Sequence, residues 1–79
     1  MPKRIFIGSL SVTTTDTTIN TQFAPYGTLV SAAINRDQSG ASLGNANAEY
    51  TTDQAGTGAI AAKNGTQIDG STISVAPAR

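Results

Sequence analysis

The chain has no cysteine, no histidine and no tryptophan, and its aromatic residues are two phenylalanines and two tyrosines among 79 residues. Disulfides, thiol catalysis, zinc fingers, histidine acid–base chemistry and haem ligation by Cys or His are therefore excluded by inventory. Charge is scarce as well. Five Lys and Arg balance five Asp and Glu, and charged residues make up 13% of the chain, against a usual share of about 25%. A net charge of zero argues against a strong electrostatic grip on nucleic acid or on an anionic membrane. No apolar run approaches the roughly 18 residues that a membrane span needs. Ile5-Phe6-Ile7 is too short for the core of a signal peptide, so a soluble protein, intracellular or recombinant, is expected, with no membrane partner.

What is present is small and polar. Twelve threonines and twelve alanines, with the glycines and serines, supply about half of the sequence. The length allows one domain, 1–79, which at this size buries only about 60–65% of its unfolded surface. With no staple and no metal, the core alone must hold the fold.

Strand and helix signals alternate along the chain. Ile5-Phe6-Ile7-Gly8 is a short β-branched and aromatic run, read as a strand. Ile19 and Phe23, four apart, with Tyr26 three further on, mark one face of a helix over residues 13–24. Thr14 or Thr15 is placed to cap it and Asp16 suits its first turn, while Pro25 and Gly27 stop it. Leu29 to Asn35 reads as a second strand, followed by the turn residues Arg36 to Gly40. From Gly44 to Tyr50, Asn45, Asn47 and Glu49 alternate with Ala46, Ala48 and Tyr50, a strand with one polar and one apolar face. Thr52 caps a second helix over 53–62, within which Gly56 and Gly58 each cost roughly 1 kcal/mol relative to Ala. Asn64-Gly65 and Asp69-Gly70 are turns around a short Thr66–Ile68 strand, and Thr72 to Ala76 is the last strand, with Ile73 and Val75 inward. The order βαββαβ predicts an α+β, ferredoxin-like sandwich, a four-stranded antiparallel sheet of order 4-1-3-2 with both helices on one face.

These residues resemble an RNA recognition motif. Ile5-Phe6-Ile7-Gly8-Ser9-Leu10 is similar to the family's first hexamer, with Ser9 in the usual Asn place. Phe23-Ala24-Pro25-Tyr26-Gly27 is similar to the end of its first helix, and Ile68-Asp69-Gly70 with Ile73 to Ala76 to its closing segment. The resemblance implies single-stranded RNA as partner, held by bases stacking on aromatics of the open sheet face with Lys and Arg nearby. Three aromatics usually serve, one in the hexamer and two in an octamer on the third strand. Phe6 is in place, and its neighbours Ile5 and Ile7 turn it toward the open face. In the octamer, Leu43-Gly44-Asn45-Ala46-Asn47-Ala48-Glu49-Tyr50, the basic residue has become Leu43 and both stacking positions have become Asn45 and Asn47. The rest of that face reads Ser31, Ala33, Asn35, Thr72 and Ser74.

Basic character remains at the edges. Lys3 and Arg4 should lie near Arg79, three charges worth a salt slope of only about −2 on a single strand, and Arg36 stands on the loop at the opposite end. The resemblance thus implies a domain that binds RNA through Phe6, Asn45, Asn47, Lys3, Arg4, Arg36 and Arg79, weakly or not at all. No cofactor, no metal and a monomer are expected. The low charge, the Thr/Ala excess and the glycines inside a helix point to an artificial or redesigned sequence on this backbone. A protein–protein module using the polar sheet face is the alternative. Gly56-Thr57-Gly58-Ala59-Ile60-Ala61 fits a dinucleotide fingerprint formally, but no parallel strand or acidic partner follows it. No serine or threonine has a base to activate it, so an enzyme is not expected. Asn64-Gly65-Thr66 is a glycosylation sequon that reads as a turn. Lys63, where the family buries an aliphatic residue, must either snorkel or shift the second helix. Ala32, Ala46, Ala48 and Ala62 stand where larger side chains would fill space, so voids or a tighter helix–sheet approach should follow.

Overall fold

Strand β1 (Lys3–Gly8) grows from the aromatic and β-branched run near the N-terminus. In the computed structural model, which describes residues 1–78, it is followed by α1 (Asp16–Phe23), a 3-10 turn (Ala24–Tyr26), β2 (Leu29–Arg36) and β3 (Ser42–Tyr50). Then come α2 (Asp53–Lys63), β4 (Gln67–Ile68), β5 (Ser71–Thr72) and β6 (Ser74–Pro77). Strands β2, β3, β1 and β6 form, in that order, one antiparallel sheet, the predicted 4-1-3-2 arrangement with β6 as its fourth strand. Helix α1 packs on β2, and α2 on β1 and β6.

Local chemistry sets the element boundaries. Thr15, the second of the two expected caps, accepts the Thr18 amide, and Thr52 accepts that of Ala55. Thr14 is instead buried, its hydroxyl donating to Asp69 Oδ2 at 2.8 Å. Ala24 keeps helical dihedrals in spite of Pro25, because the chain tightens into the 3-10 turn before Gly27 ends it. The last predicted strand divides in two. Asp69 and Gly70 both adopt positive φ, the two-residue hairpin loop that joins Ile68 to Ser71. Thr72 therefore pairs with Gln67 in a small hairpin and is not part of the open sheet face; only Ser74 onward joins the main sheet.

Rows of side chains run straight across the sheet. On the helix side one row reads Ile34, Ala46, Ile7 and Val75, and the next Ala32, Ala48, Ile5 and Pro77. Ile19, Phe23, Tyr50, Ala59 and Ile73 close over them. Helix α2 approaches β1 closely at Gly56. A Cβ at Gly56 would stand 2.7 Å from Lys3 Cβ and closer still to Cγ, so α2 rests directly on the Lys3 stem. Ala62, expected in the core, is exposed, and Lys63 snorkels, its half-buried stem ending in a 2.6 Å hydrogen bond to Gln22 Oε1. The dinucleotide-like glycines lie inside α2, not in a strand-to-helix loop.

Tyr50, fully buried at the end of β3, donates its hydroxyl to the Phe23 carbonyl at 2.6 Å. That carbonyl closes the last turn of α1, where acceptors lack helical partners. Burial first, and the neighbouring Tyr26 second, push the Tyr50 phenol up to about 12.

Two tests follow from this packing. Gly58 faces open space inside α2, so Gly58→Ala should stabilise the protein by up to about 1 kcal/mol. Gly56→Ala should destabilise it by about 1–3 kcal/mol by forcing the helix off Lys3; urea unfolding of the two variants measures both. Because the folded state holds the Tyr50 proton more tightly than the unfolded chain, its contribution is whole below pH 10 and fades as pH rises toward about 12. Tyrosinate absorbance should show one phenol titrating only as the protein unfolds, and Tyr50→Phe should cost about 1 kcal/mol.

Candidate nucleic-acid interface

The face of the sheet away from the helices is open, and strand alternation decides what stands on it. Its central row reads Ala33, Asn47, Phe6 and Ala76 across β2, β3, β1 and β6. Phe6 is 38% exposed. Its ring lies over Gly8, where an added Cβ would come within 3.2 Å of Phe6 Cε2 and 2.9 Å of Ser74 Oγ. Gly8 thus gives the ring a floor, and alanine and amide neighbours leave its outer face clear.

Beside Phe6 three amides join. Asn35 Nδ2 donates to Asn45 Oδ1 at 2.6 Å and to Asn47 Oδ1 at 2.8 Å, linking β2 to β3. Asn45 is half-buried and Asn47 exposed. Leu43 is exposed near the start of β3, before Gly44, whose positive φ accompanies an irregular register with β2. The next row toward the other end of the sheet places Ser31, Glu49 and Arg4 side by side. Arg4 therefore stands at the register position directly opposite an acidic residue, although the two side chains form no ion pair.

The expected basic residues do not converge. Arg4 is exposed on the open face, but Lys3, one residue earlier, points to the helix side. Its stem lies under Gly56 and its ammonium is 3.6 Å from Asp53 Oδ1. Arg36 bends into the β2–β3 loop, donating to the Gly40 carbonyl at 3.1 Å. Next to it the Asp37 carboxylate accepts from the Ser39 hydroxyl, the Ser39 amide and the Ala41 amide. The Ser39 hydroxyl above all, then the Ala41 amide, holds its pKa below the ordinary carboxylate value. Arg79 lies outside the described residues; Ala78 still donates to the Arg4 carbonyl at 2.9 Å. Asn35 and Glu49 are the residues of this face that sequence reasoning did not single out as functional. A pairing of the two strands around the Arg36–Gly40 turn was the signal that could have found Asn35.

Among the described residues no pocket opens for a small molecule, no group of three acidic side chains is placed to hold a metal, and no helix is long and apolar enough to cross a membrane. The arrangement offers a flat surface with one exposed aromatic ring, a cluster of amides, and one arginine at the register position opposite a glutamate.

Comparison with known proteins identifies the architecture. The chain is 44% identical over 69 residues to the organelle RRM domain-containing protein 1, chloroplastic, of Zea mays; the match covers 86% of this chain and 17% of that protein. It superposes with a TM-score of 0.93 on the first two RRM domains of yeast poly(U)-binding protein, at 23% identity over 99% of this chain and 48% of the other. A solved Sxl-lethal protein/RNA complex matches at 30% identity with a TM-score of 0.89, over 96% of this chain and 47% of the other. The relatives include natural proteins, so the skewed composition gains no support as a mark of redesign. The model of the RNA recognition motif matches residues 5–74, and the chain belongs to that family.

Proposed function

We propose that this domain binds single-stranded RNA weakly, through Phe6 with Arg4 beside it, on a sheet face from which most of the usual grip has gone. The observation that carries the reading is the central row Ala33, Asn47, Phe6 and Ala76, in which one aromatic stands alone. The family's two further stacking positions fall on Asn45 and Asn47, both on this open face. Stacking contributes ~1–3 kcal/mol per base, so two missing platforms weaken binding by roughly 2–6 kcal/mol. Electrostatics does little to offset that loss, because Arg4 faces Glu49, Arg36 is engaged in its loop and Lys3 is paired with Asp53. The Sxl-lethal protein/RNA complex, with the same fold, supports RNA as the ligand class.

NMR titration with short single-stranded RNA at low salt tests this reading. Shifts should centre on Phe6, Asn45 and Asn47 and saturate only above micromolar concentrations. Tight micromolar binding by the native sequence contradicts the proposed weakness. The combined substitution Leu43→Lys, Asn45→Tyr and Asn47→Phe should tighten binding at least ~30-fold. A folded triple variant with unchanged affinity removes this face from the account.

A further inference from the structure

The amide cluster beside Phe6 has a fixed polarity. Asn35 spends both N–H groups of its Nδ2 on the oxygens of Asn45 and Asn47, at 2.6 and 2.8 Å. With its Oδ1 held by Asn35, each of those two side chains turns its own Nδ2 away from it. Among the described residues none of these N–H groups meets an acceptor within hydrogen-bond reach. Asn47 lies directly across the strand pair from Phe6, so these donors border the place where a base would rest on the ring. Glu49, the acidic group of this face, stands one row away opposite Arg4.

We propose that Asn35 is a positioning residue that presents Asn45 and Asn47 as donors, so that the base resting on Phe6 is preferred when the edge it turns toward them carries a C4 carbonyl in place of an amino group. The inference rests on the RNA-binding reading above and adds a base preference to it. A carbonyl oxygen accepts from an amide N–H, whereas an exocyclic amino group meets it donor to donor. Uracil and cytosine test this effect. They are pyrimidines of one size that share the C2 carbonyl; they differ at C4, carbonyl in uracil against amino in cytosine, and at N3, a donor in uracil and an acceptor in cytosine.

The experiment measures the affinities of oligouridylate and oligocytidylate octamers by NMR titration, for the native chain and for Asn35→Ala and Asn35→Asp. Amide dispersion verifies that each variant is folded. The native chain should favour the uridine octamer by roughly two- to tenfold, the span of one neutral hydrogen bond. Asn35→Ala frees the two amides to rotate and should bring the ratio close to one. Asn35→Asp offers only acceptors, which draws the Nδ2 groups of Asn45 and Asn47 inward and turns their oxygens outward. The preference should then shift to cytidine. The added negative charge repels both octamers alike, so the ratio isolates the hydrogen-bond effect. Equal affinities for the native chain overturn the proposal. So does a ratio unmoved by both folded variants, or a lack of shifts with either octamer at millimolar concentration. Where shifts appear but the ratio fails, the base preference alone has failed; where neither octamer causes shifts, the RNA-binding reading of the native chain has failed with it.

Discussion

The pairing of β1 with β3 governs both sides of this molecule. Opposing Ile7 to Ala46 and Ile5 to Ala48 builds the centre of the core, and the same register opposes Phe6 to Asn47 on the outside. Side chains alternate with a period of two, so a slip of one residue would bury Phe6 and Asn47 and expose the isoleucines. The core therefore selects the register, and the register fixes which side chains a ligand meets. Tyr50 reinforces it from the end of β3 through its hydrogen bond to the Phe23 carbonyl. At the Tyr50 end of the same pairing, α2 comes down directly onto the Lys3 stem at Gly56.

Threonine-rich chains make poor helices because hydroxyls compete for backbone partners. Here much of that competition is placed where it helps. Thr15 and Thr52 cap the two helices, Thr14 joins the β1–α1 loop to Asp69, and Thr66 donates to the Lys63 carbonyl after α2. Both edge strands of the sheet use side chains in a similar way. Asp16 accepts the Ile34 amide of β2, and Asn64 accepts the Val75 amide of β6. Pairing of another chain at these edges loses those donors. A sequence low in charge and in large apolar groups thus holds its elements with short polar side chains acting locally.

That division explains what was legible in the sequence. The helices, the sheet order and the outward turn of Phe6 follow from period and neighbours, which are local. The fate of Lys3 was not local: a position at the start of β1 shows its face only once α2 is packed above it. Thr72 was misread for a related reason. The Asp69-Gly70 turn was visible, but not that it would carry the pairing of Gln67 with Thr72 and leave β6 to begin at Ser74. The placing of Arg4 opposite Glu49, and the capture of two asparagine oxygens by Asn35, needed the register of three strands at once.

The scarcity of charge acquires a definite location from this geometry. A net charge of zero constrains long-range steering, yet short-range grip depends on where each charge sits. Of the cations in the described residues, Arg4 faces a carboxylate across the strand pair and Lys3 is withdrawn to the helix side. Arg36 is tied to its own loop beside an ionised Asp37, and Lys63 is engaged with Gln22. What the open face keeps is a single stacking surface and a group of amides whose mutual hydrogen bonds decide which atoms point outward. On a surface that keeps a single arginine, directional hydrogen bonds gain weight relative to phosphate attraction. Under the proposed function, such a face trades the salt-dependent affinity of a basic groove for a weak contact in which the identity of the base matters more than the number of phosphates.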